Sequence, residues 1–413
     1  MADIQPTITA VKGFKVAGVH CGLKKDDKLD FALIVSETPC SAAGVFTTNQ
    51  VKAAPVLVDQ ERLKHHAHHI RAVAINTGCA NACTGQQGID NALQTARWVA
   101  ERIGCDENQV LVMSTGVIGT QLPMDKIKRG VDLAVDSLGD DWESAARAIM
   151  TTDTRPKLAS WTNSGSVPYQ IMGIAKGAGM IAPNMATLLS LIVTDAEIAS
   201  YNLQALLNFC VDQSFNRIVV DGDMSTNDTV LVLANGASGA EINPVSDAKR
   251  PSQFQAHLLA ISRMLARDIV SDGEGATKFI TILVDGAPNN ESARQIANCI
   301  ATSPLVKTAF YGGDANWGRI VAAAGRAGVP LQLKRMRLWI APGEAYFYDE
   351  NGSHLLLFEY GLPAAYNEEQ ATDMVRHSSV TVLLDCGMGE GTATVYTCDL
   401  SHEYVSINAD YRS

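Results

Sequence analysis

No stretch of this chain is apolar for long enough to cross a bilayer. The longest such runs, typified by 187–193, fall far short of the ~20 residues that a spanning helix needs. Positive charge is scarce too: 33 Lys and Arg face 44 Asp and Glu, and the net charge of −11 argues against a nucleic-acid footprint. The nine cysteines are odd in number and follow no repeating spacing, so they offer no disulfide framework and fit reduced cytosolic thiols. The opening Met1-Ala-Asp-Ile-Gln-Pro has neither the basic start and apolar core of a signal peptide nor the Arg-rich amphipathic pattern of a transit peptide, so a cytoplasmic location is expected. Internal repeats and low-complexity tracts are absent as well. What remains is the balance of a soluble globular enzyme, with 46% hydrophobic and 19% charged residues. At 413 residues the chain exceeds one ordinary core, which implies two domains or one large α/β unit with an appendage.

Short β-rich apolar runs predict strands over 31–35, 72–75, 110–113, 187–193, 218–220, 229–233 and 279–284. Helical periodicity is clearest over 91–103, where Asp90 can cap and Gly104 can terminate. Further helices are expected over 124–138, 142–150, 201–211, 254–270 and 291–302. The mixture places the chain in the α/β or α+β class. The polar cluster Asp285-Gly-Ala-Pro-Asn-Asn290 reads as a hinge between a main catalytic domain, 1–285, and a smaller C-terminal α/β domain, 286–413.

The segment Lys176-Gly-Ala-Gly-Met-Ile-Ala-Pro-Asn-Met-Ala-Thr187 sets a loop loosened by glycine and proline against the apolar run that follows. A hydroxyl at this junction can attack the carbonyl of Ala186 and cut the chain, leaving Thr187 as a new N-terminus. Such a residue carries both nucleophile and base, because an α-amino group with a pKa of ~7.7–8.0 takes the hydroxyl proton at neutral pH. The plain alternative is a turn before a buried strand, with Thr187 there for its β preference. Cleavage would yield chains 1–186 and 187–413, which should stay together around one shared core.

The stretch Gly177-Ala-Gly-Met-Ile-Ala-Pro-Asn-Met-Ala-Thr187 resembles the self-cleavage signature of the ornithine acetyltransferases, the glutamate N-acetyltransferases of arginine biosynthesis. Similar family segments are Asn76-Thr-Gly-Cys-Ala-Asn-Ala-Cys-Thr-Gly85, Ser114-Thr-Gly-Val-Ile-Gly119 and Thr151-Thr-Asp-Thr154. The series continues with Ser214-Phe-Asn-Arg-Ile-Val-Val-Asp-Gly-Asp-Met-Ser-Thr-Asn-Asp228, Asp272-Gly-Glu-Gly-Ala-Thr-Lys278, Gly312-Gly-Asp-Ala-Asn-Trp-Gly-Arg319 and the terminal Tyr404-Val-Ser-Ile-Asn-Ala-Asp-Tyr-Arg-Ser413. They run in family order over nearly the whole chain. The resemblance implies a layered helix–sheet sandwich, like the N-terminal-nucleophile hydrolases in outline but with different connectivity. It also implies paired copies of the two fragments, an α2β2 heterotetramer.

Site residues follow from the same resemblance. Thr115 and Gly116, at the end of the 110–113 strand, would form the oxyanion hole; read without the family, they are an ordinary strand-to-loop turn. Lys176 would pair with a substrate α-carboxylate, its alternative being a solvated surface lysine. Glu274, between two glycines, would receive the ornithine ammonium or orient the new amino group; otherwise it is a turn glutamate. Thr152 matches a substrate-contacting threonine, with Thr151 as the competing match. Asn408 and Ser413 correspond to a C-terminal binding pair, although the family usually ends in threonine and this chain ends in serine.

The reaction so implied is a ping-pong transfer. Thr187 takes the acetyl group from N-acetylornithine as an ester, and glutamate then collects it. No nucleotide, metal or organic cofactor is needed, while acetyl-CoA stays open as a co-substrate. An aminopeptidase or amidase using water as acceptor, and an uncut binding protein, are the rival readings. Other features carry less weight. The histidines of Lys64-His-His-Ala-His-His69 read as a solvated helix end. Cys79 and Cys83 lack a second pair at zinc spacing and read as small buried side chains around a turn. Gly387-Met-Gly-Glu-Gly391, flanked by strand-like runs, reads as a hairpin and not a phosphate loop. The segment 312–319 lacks the Gly-Lys-Ser/Thr ending of a nucleotide loop and reads as a rim loop or packing corner.

Overall fold

The computed structural model describes residues 10–165, 168–182, 188–243, 252–347 and 353–410. Ala186, Thr187 and Ser413 therefore lie outside the described residues. The chain opens with β1 (Phe14–Val19), β2 (Phe31–Phe46), α1 (Ala54–His66), β3 (Ile70–Asn76), α2 (Gly85–Ile103) and β4 (Val110–Ser114). Next come α3 (Met124–Asp136), α4 (Trp142–Ala148), β5 (Lys157–Asn163), β6 (Tyr169–Lys176) and β7 (Leu189–Thr194). The middle holds α5 (Ser200–Asp212), β8 (Ile218–Val219), β9 (Thr229–Ala234), α6 (Gln253–Ser271) and β10 (Phe279–Ala287). The last third adds α7 (Asn290–Ala301), α8 (Pro304–Tyr311), α9 (Trp317–Gly325), β11 (Arg337–Pro342), β12 (Leu355–Glu359), β13 (Leu362–Pro363), α10 (Glu368–Val375), β14 (Ser379–Asp385), β15 (Gly391–Cys398) and α11 (His402–Asp410).

Two mixed sheets result. The first runs β4-β3-β2-β9-β7-β6-β5 with β1 added on β2, and the second runs β13-β12-β11-β14-β10-β15-β8. Strands β7 and β9 are buried at every position, and their largely apolar sequence follows from cover on both faces. One of those covers is α5 with α6: α6 packs on β5 and β6 and also touches β15 of the second sheet. Helices α7, α9 and α10 close the far side of the second sheet around Ile282, Ile296, Ile340 and Val382. The molecule is thus a layered α/β sandwich of helices and sheets. Among the described residues, no helix is long and apolar enough to cross a membrane.

Four expectations change. The cluster 285–290 is the end of β10 and the cap of α7, whose Asn289 side chain accepts the Ser292 N–H. The second sheet therefore starts before residue 285 and reaches back to β8, and the expected division falls inside a strand. The loop 387–391 is no hairpin. Strand β10 lies between β14, which it pairs in parallel, and β15, which it pairs antiparallel, and Met388 N–H binds Gly286 O at 2.7 Å as the chain crosses over. Cys79 is buried, but Cys83 is exposed with a positive φ of 55°. Helix α2 also begins more than a turn early, behind Thr84. Its first turn is held by Asn81, whose amide donates to Gly88 O at 2.9 Å, while Gly104 ends it in the left-handed conformation.

Candidate active site

Ends of strands from the first sheet converge on one small cleft that is open to solvent. Parallel register sets Asn76 beside Ser114, whose hydroxyl donates to Asn76 Oδ1 at 2.6 Å. Beyond β4, Thr115 N–H donates to Asn76 O at 3.1 Å and Val117 N–H to Gly78 O at 3.4 Å. Between them Gly116 takes a φ of 131°, and a Cβ there would stand 2.4 Å from the Gly78 carbonyl carbon. Only glycine fits. Among the described residues no acceptor meets the Gly116 N–H. Asn227 fastens the turn from behind by donating to Ala80 O at 2.6 Å and Ser114 O at 2.8 Å. A hydroxyl and a free N–H thus face the cleft side by side, the donor set that an oxyanion requires.

Lys176 ends β6 and is 3% exposed, so it is not a solvated surface lysine. Its ammonium donates to Thr115 Oγ1 at 3.5 Å. Among the described residues it forms no ion pair, whereas the neighbouring Lys157 forms two. Burial pushes the Lys176 ammonium below the usual lysine range, and Asp153 opposes that most strongly. A buried cation that lines a cleft with no carboxylate in direct contact among the described residues is arranged for the anion of a ligand.

Glu274 closes another wall. Its N–H donates to Ala178 O at 2.9 Å, and its Oε2 accepts the Asn408 amide at 2.7 Å. Gly179 lets this carboxylate lie against the backbone, since a Cβ there would come within 2.3 Å of Glu274 Oε2. Thr151 and Thr152 both line the cleft, as do Met180, Ser225 and Thr226. Asn408 comes from α11, so the last described helix reaches the same place as Thr115, Gly116, Thr152, Lys176 and Glu274.

The chain on either side of 183–187 is firmly held. Met180 and Ile181 N–H donate to the Asp221 carboxylate at 2.6 and 2.8 Å, and Val220 N–H returns to Ile181 O at 2.9 Å. Leu188 N–H donates to Asp228 Oδ1 at 3.0 Å, and Leu188 O accepts from Thr229 N–H at 3.1 Å. Asp228 is fully buried, and its Oδ2 finds no partner among the described residues. Burial pushes its carboxyl well above the usual range, against the pull of the Leu188 N–H and Lys176. Asp153, Asp221, Asp228, Asn227 and Gly179 carried no assigned role in the sequence. Several sit inside family-like segments, but spacing does not reveal which carboxylates are buried.

A layered α/β chain whose cleft opposes hydroxyl and amide donors to a buried cation belongs among the acyl-transfer enzymes. Comparison with known proteins specifies which. A model of the ArgJ family matches residues 15–413. The chain is 48% identical over 408 residues to the arginine biosynthesis bifunctional protein ArgJ of Geobacter sulfurreducens, covering 98% of this chain and 100% of that one. It is similar to the crystal structure of the protein of that name from Bacillus halodurans, with 36% identity, 52% of this chain and 96% of that one covered, and a TM-score of 0.46. It is also similar to ornithine acetyltransferase from Mycobacterium tuberculosis, complexed with ornithine, with 41% identity, 45% and 97% coverage and a TM-score of 0.41. The chain belongs to the ArgJ family and is an acyltransferase.

Proposed function

We propose that the protein is a glutamate N-acetyltransferase that carries the acetyl group of N2-acetyl-L-ornithine to L-glutamate after cutting its own backbone between Ala186 and Thr187. The observation that carries this reading is the buried Lys176 ammonium, without an ion pair among the described residues, lining the same cleft as Thr115 and Gly116. Both substrates bring an α-carboxylate for that cation. In self-cleavage, Thr187 Oγ1 attacks the Ala186 carbonyl carbon, the Thr187 nitrogen leaves with a proton, and water hydrolyses the resulting ester. In turnover the same oxygen attacks the acetyl carbonyl while the freed α-amine takes its proton. Thr115 and Gly116 hold the oxyanion, and the C–N bond breaks to release ornithine with that proton on its amine. Glutamate, with its amine unprotonated, then attacks the acetyl ester and restores the hydroxyl.

Glu274, fixed by Asn408, offers a carboxylate to the distal ammonium of ornithine. Thr152, Asn408 and Ser413 complete the substrate contacts in this reading. No cofactor enters these steps, and acetyl-CoA would be a second acetyl donor. The two fragments are expected to pair as an α2β2 heterotetramer in the cytoplasm. Intact-mass analysis with acetyl-exchange assays tests the proposal. Two fragments divided before Thr187, and glutamate-dependent loss of N-acetylornithine, are expected. A single 44.1 kDa species in active protein would overturn the cut, and acetate release without glutamate would make the protein an amidase. Supplying acetyl-CoA in place of N-acetylornithine decides whether there is one activity or two.

A further inference from the structure

Beneath the cleft lies a charge cluster closed off from water. Lys157, on β5, is buried between two carboxylates, with its ammonium 2.7 Å from Asp153 and 2.5 Å from Asp272. All three side chains are between 0% and 4% exposed. One carboxylate would balance one lysine, so the second leaves a negative charge in excess. The other buried cation in this neighbourhood is Lys176. Asp153 connects the two: its Oδ1 accepts both Lys157 Nζ and, at 2.7 Å, the N–H of Gly177, the residue after Lys176. Its Oδ2 accepts Thr151 N–H at 2.9 Å, and Asp272 accepts Thr154 N–H at 3.0 Å and the Thr154 hydroxyl. Asp272 in turn lies two residues before Glu274. The cluster therefore ties together three walls of the cleft.

We infer that Asp153, braced by Lys157 and Asp272, is a positioning residue that keeps Lys176 an ammonium inside the protein and fixes the Thr151–Thr152 backbone beside it. The substrate carboxylate then meets a cation that no ion pair neutralises among the described residues. The charged groups facing Lys176 are Asp153, Asp228 and Glu274 on the stabilising side and Lys157 and Lys24 on the opposing side. The coupling is reciprocal. Burial raises the Asp153 carboxyl, but Lys176 and Lys157 outweigh it and hold it at about 2. The inference rests on the proposed role of Lys176 in holding the substrate carboxylate, and its test separates the two.

The experiment compares full-length D153N and D272N with the unaltered protein. Trace acetylation by acetic anhydride across pH, read at Lys176 by mass spectrometry, reports the ammonium directly. The alkaline limb of kcat/KM for N-acetylornithine reports its use. D153N should lower the labelling midpoint and move the alkaline limb toward acid by about one pH unit. KM should rise more than kcat falls. D272N takes a carboxylate from the same lysine but leaves the one that accepts the N–H of Gly177, next to Lys176, so its midpoint should move by less than half as much. D153E, which keeps the charge, should keep the midpoint. Equal shifts in D153N and D272N, or none in folded D153N, overturn the inference in favour of a merely structural cluster. If D153N does not fold, Lys157→Gln supplies the opposite arm: removal of the opposing cation should raise the midpoint, and a fixed midpoint overturns the inference. A shifted midpoint in a protein that ignores N-acetylornithine would leave the inference standing and remove the substrate reading.

Discussion

Two glycines at the cleft are there for different reasons, and alanine tells them apart. At Gly116 a methyl group would run into the backbone of Gly78 and Cys79, and the residue also sits at a φ of 131°. Neither can be relieved by a rotamer change, so Gly116→Ala should lose several degrees of melting temperature along with activity. At Gly179 the obstacle is only the far end of the Glu274 side chain. Gly179→Ala should keep its melting temperature and displace that carboxylate, lowering kcat/KM for N-acetylornithine by about tenfold as the distal ammonium loses its partner. Thermal denaturation alongside steady-state kinetics separates the two. Thr115→Val, which keeps shape but deletes the hydroxyl, should cut kcat by ~100-fold, the usual cost of an oxyanion donor, and slow self-cutting as well. Unchanged rates for both would remove Thr115 from that role.

Between elements, the Asp221 carboxylate is one of the groups that hold the loop leading to the proposed cut. Asp221 accepts the N–H groups of Met180 and Ile181 and also the Tyr404 hydroxyl at 3.2 Å, so it joins this loop to α11 and through it to Asn408. Met180 sits at a φ of 58°, a conformation that needs such outside support. Asp221→Ala should therefore fold but cut itself more slowly, by an order of magnitude or more, and Tyr404→Phe should do so less. A time course of intact mass after expression reads both; an unaltered rate in Asp221→Ala would mean the loop is fixed elsewhere. The same elements mark how far the sequence could be read. Strands such as β4, β7 and β9 announce themselves because both of their faces are buried and the run is largely apolar. Which strand lies beside which does not: β14 and β15 are joined by a short glycine loop, yet β10 comes between them, a choice made by residues a hundred positions away. Burial of charge is equally hidden. Lys176 and Lys157 are ordinary lysines in the sequence, and only tertiary packing seals them from water beside Asp153.

At the scale of the whole molecule, that sealed charge makes stability depend on acid. The Asp153 carboxyl is held at about 2 in the fold and titrates near 3.8 when free. Its folded value is the lower one, so its contribution is complete above the free value and is lost as pH falls through about 2. The difference amounts to about 2 kcal/mol. In an uncut Thr187→Ala background, where unfolding involves a single chain, D153N should be less stable in urea at pH 7 by about that amount. The gap should narrow toward pH 3, and a gap independent of pH would assign the loss to packing instead.

Self-cutting poses a different question for the molecule, which is why two chains should remain one protein. In the first sheet, β9 and β7 from the downstream piece lie between β2 and β6 from the upstream piece. Both seams are full ladders, antiparallel over six residue pairs each. The core beneath is shared in the same way, with Tyr169, Ile171 and Ala175 packed among Leu203, Leu258 and Ile269. Pulling the pieces apart would expose two ladders of backbone donors and acceptors together with that core, so separation amounts to unfolding. The cut protein should therefore elute as one species in native buffer and resolve into two only in denaturant. The 187–413 piece expressed alone should be insoluble, and should refold only when mixed with the 1–186 piece. Pieces that part in native buffer would mean that the break falls elsewhere in the sheet, and the assignment of Thr187 as the new terminus would fall with it.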